Sequence, residues 1–168
     1  MMSKSNPDKF YGKVSHLYEK EDYTGALKLL ETVPPAHIKK NEYQFLIAEC
    51  HYYLGRDKDI DPAIRAYSNA IELFESDPKS LEWFIDEDIP IARSNLLGCM
   101  AVKGMNELYE NNLKSVQESL DYILEHHSDC TDEDSGRTGV FLVICAQSDE
   151  FSDRKEDYID LSIVSLEK

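Results

Sequence analysis

Residues 42–74 read EYQFLIAECHYYLGRDKDIDPAIRAYSNAIELF, and their pattern indicates the fold class. From Glu42 to Leu54 the apolar residues recur every three or four positions, which is typical of one face of a helix. Gly55 is typical of a helix C-terminus, and Asp61-Pro62 is typical of an N-cap followed by the first helical residue. The stretch therefore predicts two helices with a short connection, packed antiparallel as an αα-hairpin.

The same pattern precedes this stretch. Residues 8–33 predict a first pair of helices, and two prolines follow it, which end a helix firmly. Val14 and Ala48 hold the same position of the first helix 34 residues apart, and Ala26 and Ala63 hold the same position of the second helix 37 residues apart. Self-similarity at a nearly fixed period is typical of repeat proteins.

A third unit follows, with larger departures from the period. Leu97-Gly98 takes the place of Ile47-Ala48, 50 residues later, and an insertion at residues 78–90 accounts for the excess. Residues 112–127 predict the second helix of this unit, because their apolar residues again share one face.

This pattern resembles the tetratricopeptide repeat family, whose motif of about 34 residues is a helix–turn–helix unit. The matching residues are Phe10, Val14, Tyr18, Tyr23, Ala26, Leu30 and Val33 in the first unit, Ile47, Ala48, Tyr52, Ala63, Tyr67 and Ala70 in the second, and Leu97, Gly98 and Ala101 in the degenerate third. The resemblance implies an all-α fold: a short αα-hairpin solenoid over residues 8–127. Residues 128–168 would add an acidic loop and a C-terminal capping helix or tail.

The resemblance also implies a binding site. In this family the first helix of each pair lines a concave groove that receives a peptide or helix of another protein. The residues that match groove positions and offer aromatic or polar contacts here are Tyr11, Ser15, Tyr18, Phe45, Glu49, Tyr52, Tyr53, Asn95 and Lys103. Aromatic side chains suit an interface because they offer large area with few rotatable bonds. The alternative, equally weighted, is that the tyrosines pack between repeats.

The polarity of the groove selects among partners. Members of the family that bind chaperone tails clamp a carboxylate with Lys, Asn and Arg, whereas Tyr11, Ser15 and Glu49 stand at those positions here. Because Glu49 would repel a carboxylate, we expect an apolar or basic peptide or helix as the partner. The function expected is that of a small adaptor or a subunit of a larger assembly. A homodimer and a secretion-type chaperone for a hydrophobic client remain alternatives.

Charge and composition exclude other classes of partner. The 168 residues include 33 Asp and Glu against 18 Lys and Arg, so a net charge of -15 disfavours nucleic-acid binding. No apolar run approaches the ~18 residues of a membrane span. No apolar signal segment follows Met1, and the spacings of the four cysteines match no CxxC or zinc-finger pattern. A reducing, cytoplasmic location is therefore expected.

One segment collects residue types that could support chemistry. His126-His127, Cys130 and the acids at 132–134 are metal-ligand types, and residues 135–139 contain two glycines and two hydroxyl side chains. Zinc usually needs a second ligand pair, and a phosphate-binding loop needs a lysine that is missing here. We predict no metal, no cofactor and no catalysis. A metal- or nucleotide-dependent enzyme that uses the 126–139 loop is the alternative from another class.

The last part of the chain is less regular. Residues 140–146 form a continuous apolar run that fits a strand or a buried helix, and the need for a terminal cap favours the helix. Residues 149–157 are charged and are predicted to be loose. Residues 158–166 fit a last helix, an edge strand or a tail that docks on a partner.

Overall fold

The computed structural model describes residues 7–34, 41–55, 60–76, 88–129 and 132–166. Every regular element in these ranges is helical, which confirms the all-α prediction. The eight α-helices of these ranges are α1 (Pro7–Glu19), α2 (Tyr23–Leu30), α3 (Asn41–Gly55), α4 (Asp61–Ser76), α5 (Asp88–Tyr109), α6 (Leu113–His126), α7 (Asp132–Ala146) and α8 (Lys155–Leu166). Short 3-10 helices span His127–Asp129 and Asp149–Arg154. The insertion predicted at 78–90 lies mostly outside the described residues.

The chain divides into two compact units, Met1–Leu81 and Glu82–Lys168. In the first unit α1 packs on α2 and α3, α2 packs on α3, and α3 packs on α4. In the second unit α5 packs on α6 and α7, and α7 packs on α8. Helices that follow one another in the sequence therefore form neighbouring pairs, and α7 and α8 form the last pair of the second unit.

The second helix of each of the first three pairs buries an apolar triad with the spacing i, i+4, i+7. The triads are Ala26, Leu30 and Val33 in α2 and the turn that follows it, Ala63, Tyr67 and Ala70 in α4, and Val116, Leu120 and Ile123 in α6. The α2 triad shares a buried cluster with Tyr43 and Leu46 of α3. The α6 triad shares one with Phe141 and Leu142 of α7. In both units the triad thus shares a buried cluster with residues of the following pair.

Two turns within helix pairs have the same backbone. Glu21 after α1 and Asn111 after α5 adopt positive φ angles of 60° and 59°. In each case the next residue donates its N–H to the carbonyl five residues earlier, at 3.0 and 2.8 Å. This is the Schellman arrangement, which ends a helix with one left-handed residue and satisfies its last carbonyls.

These turns set the register of the third pair. Because Glu21 and Asn111 lie 90 residues apart, Gly104 of α5 corresponds to Val14 of α1. A Cβ atom at Gly104 would lie 2.7 and 2.8 Å from ring carbons of Phe141, so this glycine permits the close approach of α5 and α7. The register predicted from Leu97-Gly98 is six residues too early.

Two predicted helix ends also require correction. Helix α2 ends at Leu30 rather than at Val33, although Val33 remains buried in the turn that follows. Helix α4 includes Asp61, which was predicted to precede it as the N-cap. The N–H of Ile64 donates to the carbonyl of Ile60 at 3.1 Å, so the helix begins one residue early.

The segment after residue 128 differs most from the predictions. The prediction of an acidic loop is wrong beyond residue 131, because α7 begins at Asp132 and includes residues 135–139. Thr138 and Gly139 are buried, so this part of α7 belongs to the core. Residues 149–157, predicted to be loose, form a 3-10 helix with Phe151 buried and then begin α8. Residues 158–166 are helical rather than a strand or a tail.

Candidate functional site

Four tyrosines from α1, α2 and α3 form a ring cluster in the first unit. Tyr23 stacks on Tyr53 with ring centres 4.9 Å apart and planes 9° apart. Tyr18 meets Tyr23 edge to face at 5.6 Å and lies 6.1 Å from Tyr53, and Tyr52 meets Tyr53 at 5.3 Å. Tyr52 is buried, whereas the other three are half-buried. We call these four residues the tyrosine cluster.

The turn after α1 builds half of this cluster. Tyr18 lies in the last turn of α1 and Tyr23 begins α2, so the Schellman turn between them brings their rings together. The carboxylate of Asp22 accepts a hydrogen bond from the N–H of Gly25 at 2.9 Å and so caps α2. The position of Tyr23 is thus fixed by the backbone as well as by its ring contacts.

A buried carboxylate of α3 holds the tyrosine cluster in place through hydrogen bonds. Glu49 of α3 is only 6 % exposed. Its Oε2 accepts a hydrogen bond from the hydroxyl of Tyr18 at 2.8 Å, and its Oε1 accepts one from the hydroxyl of Tyr67 in α4. Hydrogen bonds to a charged acceptor are about twice as strong as neutral ones. Glu49 therefore ties α1, α3 and α4 together and fixes the orientation of the Tyr18 ring.

Burial, together with the charge of Glu49, keeps two neighbouring groups in their protonated forms. Burial raises the pKa of Tyr18 far above its ordinary value, and the negative charge of Glu49 adds to the rise. Burial and then Glu49 also raise the pKa of Cys50 to about 12. Tyr18 is therefore a hydrogen-bond donor rather than a base, and Cys50 is an unreactive thiol at neutral pH.

The structure brings some of the predicted groove residues together and separates others. Tyr18, Glu49, Tyr52 and Tyr53 form one assembly, as described above. Tyr11 meets the buried Tyr43 edge to face at 6.0 Å, and Phe45 meets Tyr67 at 6.2 Å. Ser15 is half-buried. Glu49 and Tyr52 are buried, so the surface a partner could touch consists of parts of Tyr11, Ser15, Tyr18, Phe45 and Tyr53.

Asn95 and Lys103 lie in the second unit, where Asn95 is buried and Lys103 is half-buried. Their groove positions depended on the Leu97-Gly98 register. When the turns at Glu21 and Asn111 are aligned, each residue of α1 corresponds to the residue 90 positions later in α5. The counterparts of Tyr11, Ser15 and Tyr18 are then Ala101, Met105 and Leu108. The aromatic character of the site is therefore a property of the first unit.

Sequence reasoning did not assign Tyr23 and Tyr67 to the site. Tyr23 begins a helix, and Tyr67 matches a core position of the repeat. Packing within the fold was therefore a sufficient reason for both residues. A signal was nonetheless present, because Glu49 is the one acidic residue in the apolar stretch 45–50. A buried carboxylate needs hydrogen-bond donors, and tyrosines on the neighbouring helices are suitable ones.

The described residues of the segment 126–139, which are 126–129 and 132–139, are helical, whereas the enzyme alternative places a loop there. The ring of His126 lies 4.5 Å from that of Tyr122, and Nδ1 of His127 lies 3.1 Å from the carbonyl oxygen of Leu124. Residues 132–139 belong to α7. Within the described ranges no three His, Cys, Asp or Glu side chains come together as a metal site would need. Cys130 lies outside those ranges.

Among the helices of the described ranges, none combines the length and the apolar character needed to cross a bilayer. Comparison of the chain with family models, with curated proteins and with solved structures found no match.

Proposed function

We propose that this protein is an interaction module, an adaptor or a subunit of a larger assembly, that binds a peptide or helix of another protein. The binding surface is the exposed side of the first unit formed by Tyr11, Tyr18, Tyr23 and Tyr53. The observation that carries the proposal is the mutual contact of half-exposed Tyr18, Tyr23 and Tyr53 from three helices. Rings held in this way offer contact area without a large loss of conformational entropy on binding.

The finer architecture that we propose is a tetratricopeptide-like stack of helical pairs. Two features support it. The turns after α1 and α5 share one backbone conformation 90 residues apart. The second helices of three pairs bury apolar triads of identical spacing. In this architecture α1 and α3 are first helices of their pairs, which is where the family places its groove residues.

The chemistry of the surface favours an apolar or basic partner. Glu19, Glu21 and Asp22 are exposed at the corner that carries Tyr18 and Tyr23, with Lys20 as the base among them. Tyrosine ring faces attract cations, and Arg or Lys side chains stack on them. An arginine between apolar residues of a partner would therefore meet both rings and acidic side chains here.

We propose that the protein acts by binding rather than by catalysis, in the cytoplasm. Two groups in and beneath this surface that could serve as nucleophiles support this, because Tyr18 and the buried Cys50 are held protonated. The secretion-type chaperone stays an alternative with the same surface. It differs in the partner, which would be an aggregation-prone client that the protein keeps in solution.

Affinity capture from the native cell extract tests the proposal. The test variant is Tyr23→Ala/Tyr53→Ala, with circular dichroism to verify folding. Tyr109→Ala is the matched control, because Tyr109 is 90 % exposed and makes few contacts to lose. We expect a stoichiometric partner with the wild type and the control, and loss of that partner from the folded double variant. Retention of the partner by the folded double variant would show that the tyrosines are structural.

A further inference from the structure

The last helical pair exposes apolar side chains on one side. On α8 these are Ile159, Ile163 and Leu166, with the spacing i, i+4, i+7, and on α7 they are Val140 and Ile144. We call these five residues the end face. Monomeric soluble proteins seldom expose contiguous apolar surface of this kind, and such surfaces commonly mark interaction sites.

The exposed apolar residues of α7 form one stripe of the end face, and those of α8 form a second, which we call the α8 stripe. The two stripes lie side by side. A Cβ atom at Gly139 would lie 2.7 Å from Cγ of Leu166, so α7 and α8 are in close contact next to the face. On α8 the side next to this stripe buries Tyr158, Ser162 and Ser165. On α7 the side turned toward α5 buries Phe141. From the helical spacing, the exposed residues of both helices point to the same side of the pair, away from the core.

The α8 stripe repeats the triad of the preceding pairs. Its spacing equals that of the triads in α2, α4 and α6, and it follows the α6 triad by 43 residues. The earlier triads are all buried, and those of α2 and α6 share buried clusters with residues of the following pair. The fourth triad is instead exposed, with Ile163 at 49 %. It has the pattern of a surface that packs against one further helix.

Charge determines what kind of helix fits. The second unit, residues 82–168, contains 20 Asp and Glu against seven Lys and Arg, a net charge of -13 of the total of -15. Glu156 and Asp160 are exposed beside the α8 stripe, with Lys155 at its start. A second copy of this face would bring two strongly acidic surfaces together. A helix with basic flanks instead gains from this field.

We propose that the end face is a second docking site, which receives an amphipathic helix of a partner with apolar residues at i, i+3 or i+4 and i+7 and with Lys or Arg beside them. This site is distinct from the tyrosine surface of the first unit and does not depend on it. The docked helix covers the fourth triad, so that it becomes buried as the earlier three triads are.

The test uses two synthetic helical peptides of about 18 residues, long enough to present five turns. Both carry leucine at the apolar positions, and the remaining positions are mainly lysine in one peptide and mainly glutamate in the other. Fluorescence anisotropy measures binding to the full-length protein. We expect the lysine peptide to bind about tenfold or more tightly than the glutamate peptide, and the difference to shrink at high salt.

Two variants locate the binding on the end face. Ile163→Glu places a carboxylate in the stripe. Val164→Glu makes the same charge change at a neighbouring residue that is 50 % exposed but points about 100° away. We expect Ile163→Glu to lose about tenfold or more in affinity for the lysine peptide, and Val164→Glu to bind as the wild type does. Equal losses in both variants, equal binding of both peptides, or no binding of the lysine peptide would overturn the proposal. A wild-type dimer that Ile163→Glu converts to monomer would assign the face to a second copy instead.

Discussion

The substitution Gly104→Ala tests the close approach of α5 and α7. A Cβ atom at this position would lie 2.7 and 2.8 Å from Cε2 and Cε1 of Phe141 and nearer still to Cζ, whereas carbon atoms in contact prefer about 3.5–4.0 Å. The Phe141 ring is fully buried, so it has no free space into which to turn. The helix or the ring must therefore shift by roughly an ångström.

The expected cost follows from two opposing terms. Overpacking a close-packed core costs about 1–3 kcal/mol. Replacing glycine with alanine inside a helix recovers about 0.5–1 kcal/mol. We expect a net loss of about 1–2 kcal/mol in the free energy of unfolding, which corresponds to a fall in Tm of roughly 2–8 °C for a protein of this size.

Gly136→Ala is the matched control. Gly136 lies in α7 of the same unit, and nothing lies within 4 Å of a Cβ atom built there. The control should therefore gain about 0.5–1 kcal/mol from helix propensity alone. Urea denaturation followed by circular dichroism measures both variants. The close approach of the two helices would be refuted if Gly104→Ala stabilised the protein as Gly136→Ala does.

Three further predictions concern buried polar groups. Tyr67→Phe removes a donor from Glu49 and should lower the free energy of unfolding by about 1.5–3 kcal/mol, whereas a change equal to that of the exposed Tyr109→Phe would contradict the role of Glu49 as an anchor. Because the pKa of Tyr18 is raised on folding, its protonated form favours the native state; the resulting stability is present below pH ~10 and is lost as the pH rises further. The free energy of unfolding, measured with urea at increasing alkaline pH, should therefore fall more steeply for the wild type than for Tyr18→Phe. Parallel curves of this free energy against pH would refute the prediction. With pKa values of about 12 and buried side chains, Cys50 and Cys145 should react with iodoacetamide at pH ~8 only after unfolding, as peptide mass spectrometry would show; rapid native labelling would contradict their burial.

The sequence predicted the helices of the first unit well because their signals are local. Apolar residues at helical spacing and the prolines after Val33 define α1 and α2 without knowledge of any tertiary contact. The same holds for α3 and α4, apart from a shift of one or two residues at their ends. The exact end of a helix depends on individual hydrogen bonds, such as the one from the N–H of Ile64 to the carbonyl of Ile60. The periodicity of apolar residues does not encode such bonds.

The register of the third pair could not be predicted from small residues alone. Gly98 and Gly104 both lie in α5, and each is a plausible close-approach position. The contact between Gly104 and Phe141 joins residues 37 positions apart, so only the tertiary structure distinguishes the two glycines. Asn111-Asn112 was the better signal, because asparagine tolerates the left-handed conformation that ends a helix.

The start of α7 was missed for a different reason. Residues 132–139 contain Asp, Ser, Thr and two glycines, which favour turns when considered alone. The burial of Thr138 and the packing of Gly139 against Leu166 override these preferences. Helix propensity is a weak prior where tertiary packing is extensive.

The candidate site was predicted in part. The tyrosines of α1 and α3 were recognised by their position in the repeat, but Glu49 was interpreted as a charge facing the groove. Its partners Tyr18 and Tyr67 lie 31 and 18 residues away, so its burial depends on how three helices pack. The correction changes its role from repelling a ligand to holding the aromatic surface in shape.

Site-specific photo-crosslinking in the native cell tests whether the tyrosine surface of the first unit binds a partner. A photoreactive phenylalanine analogue replaces Tyr53 in one variant and Tyr109 in another. Both analogues are aromatic, and Tyr109 is the more exposed position. If the tyrosine surface of the first unit binds a partner, the analogue at position 53 will yield one discrete protein adduct and the analogue at position 109 will not. A discrete adduct at 109 with none at 53 would contradict the claim.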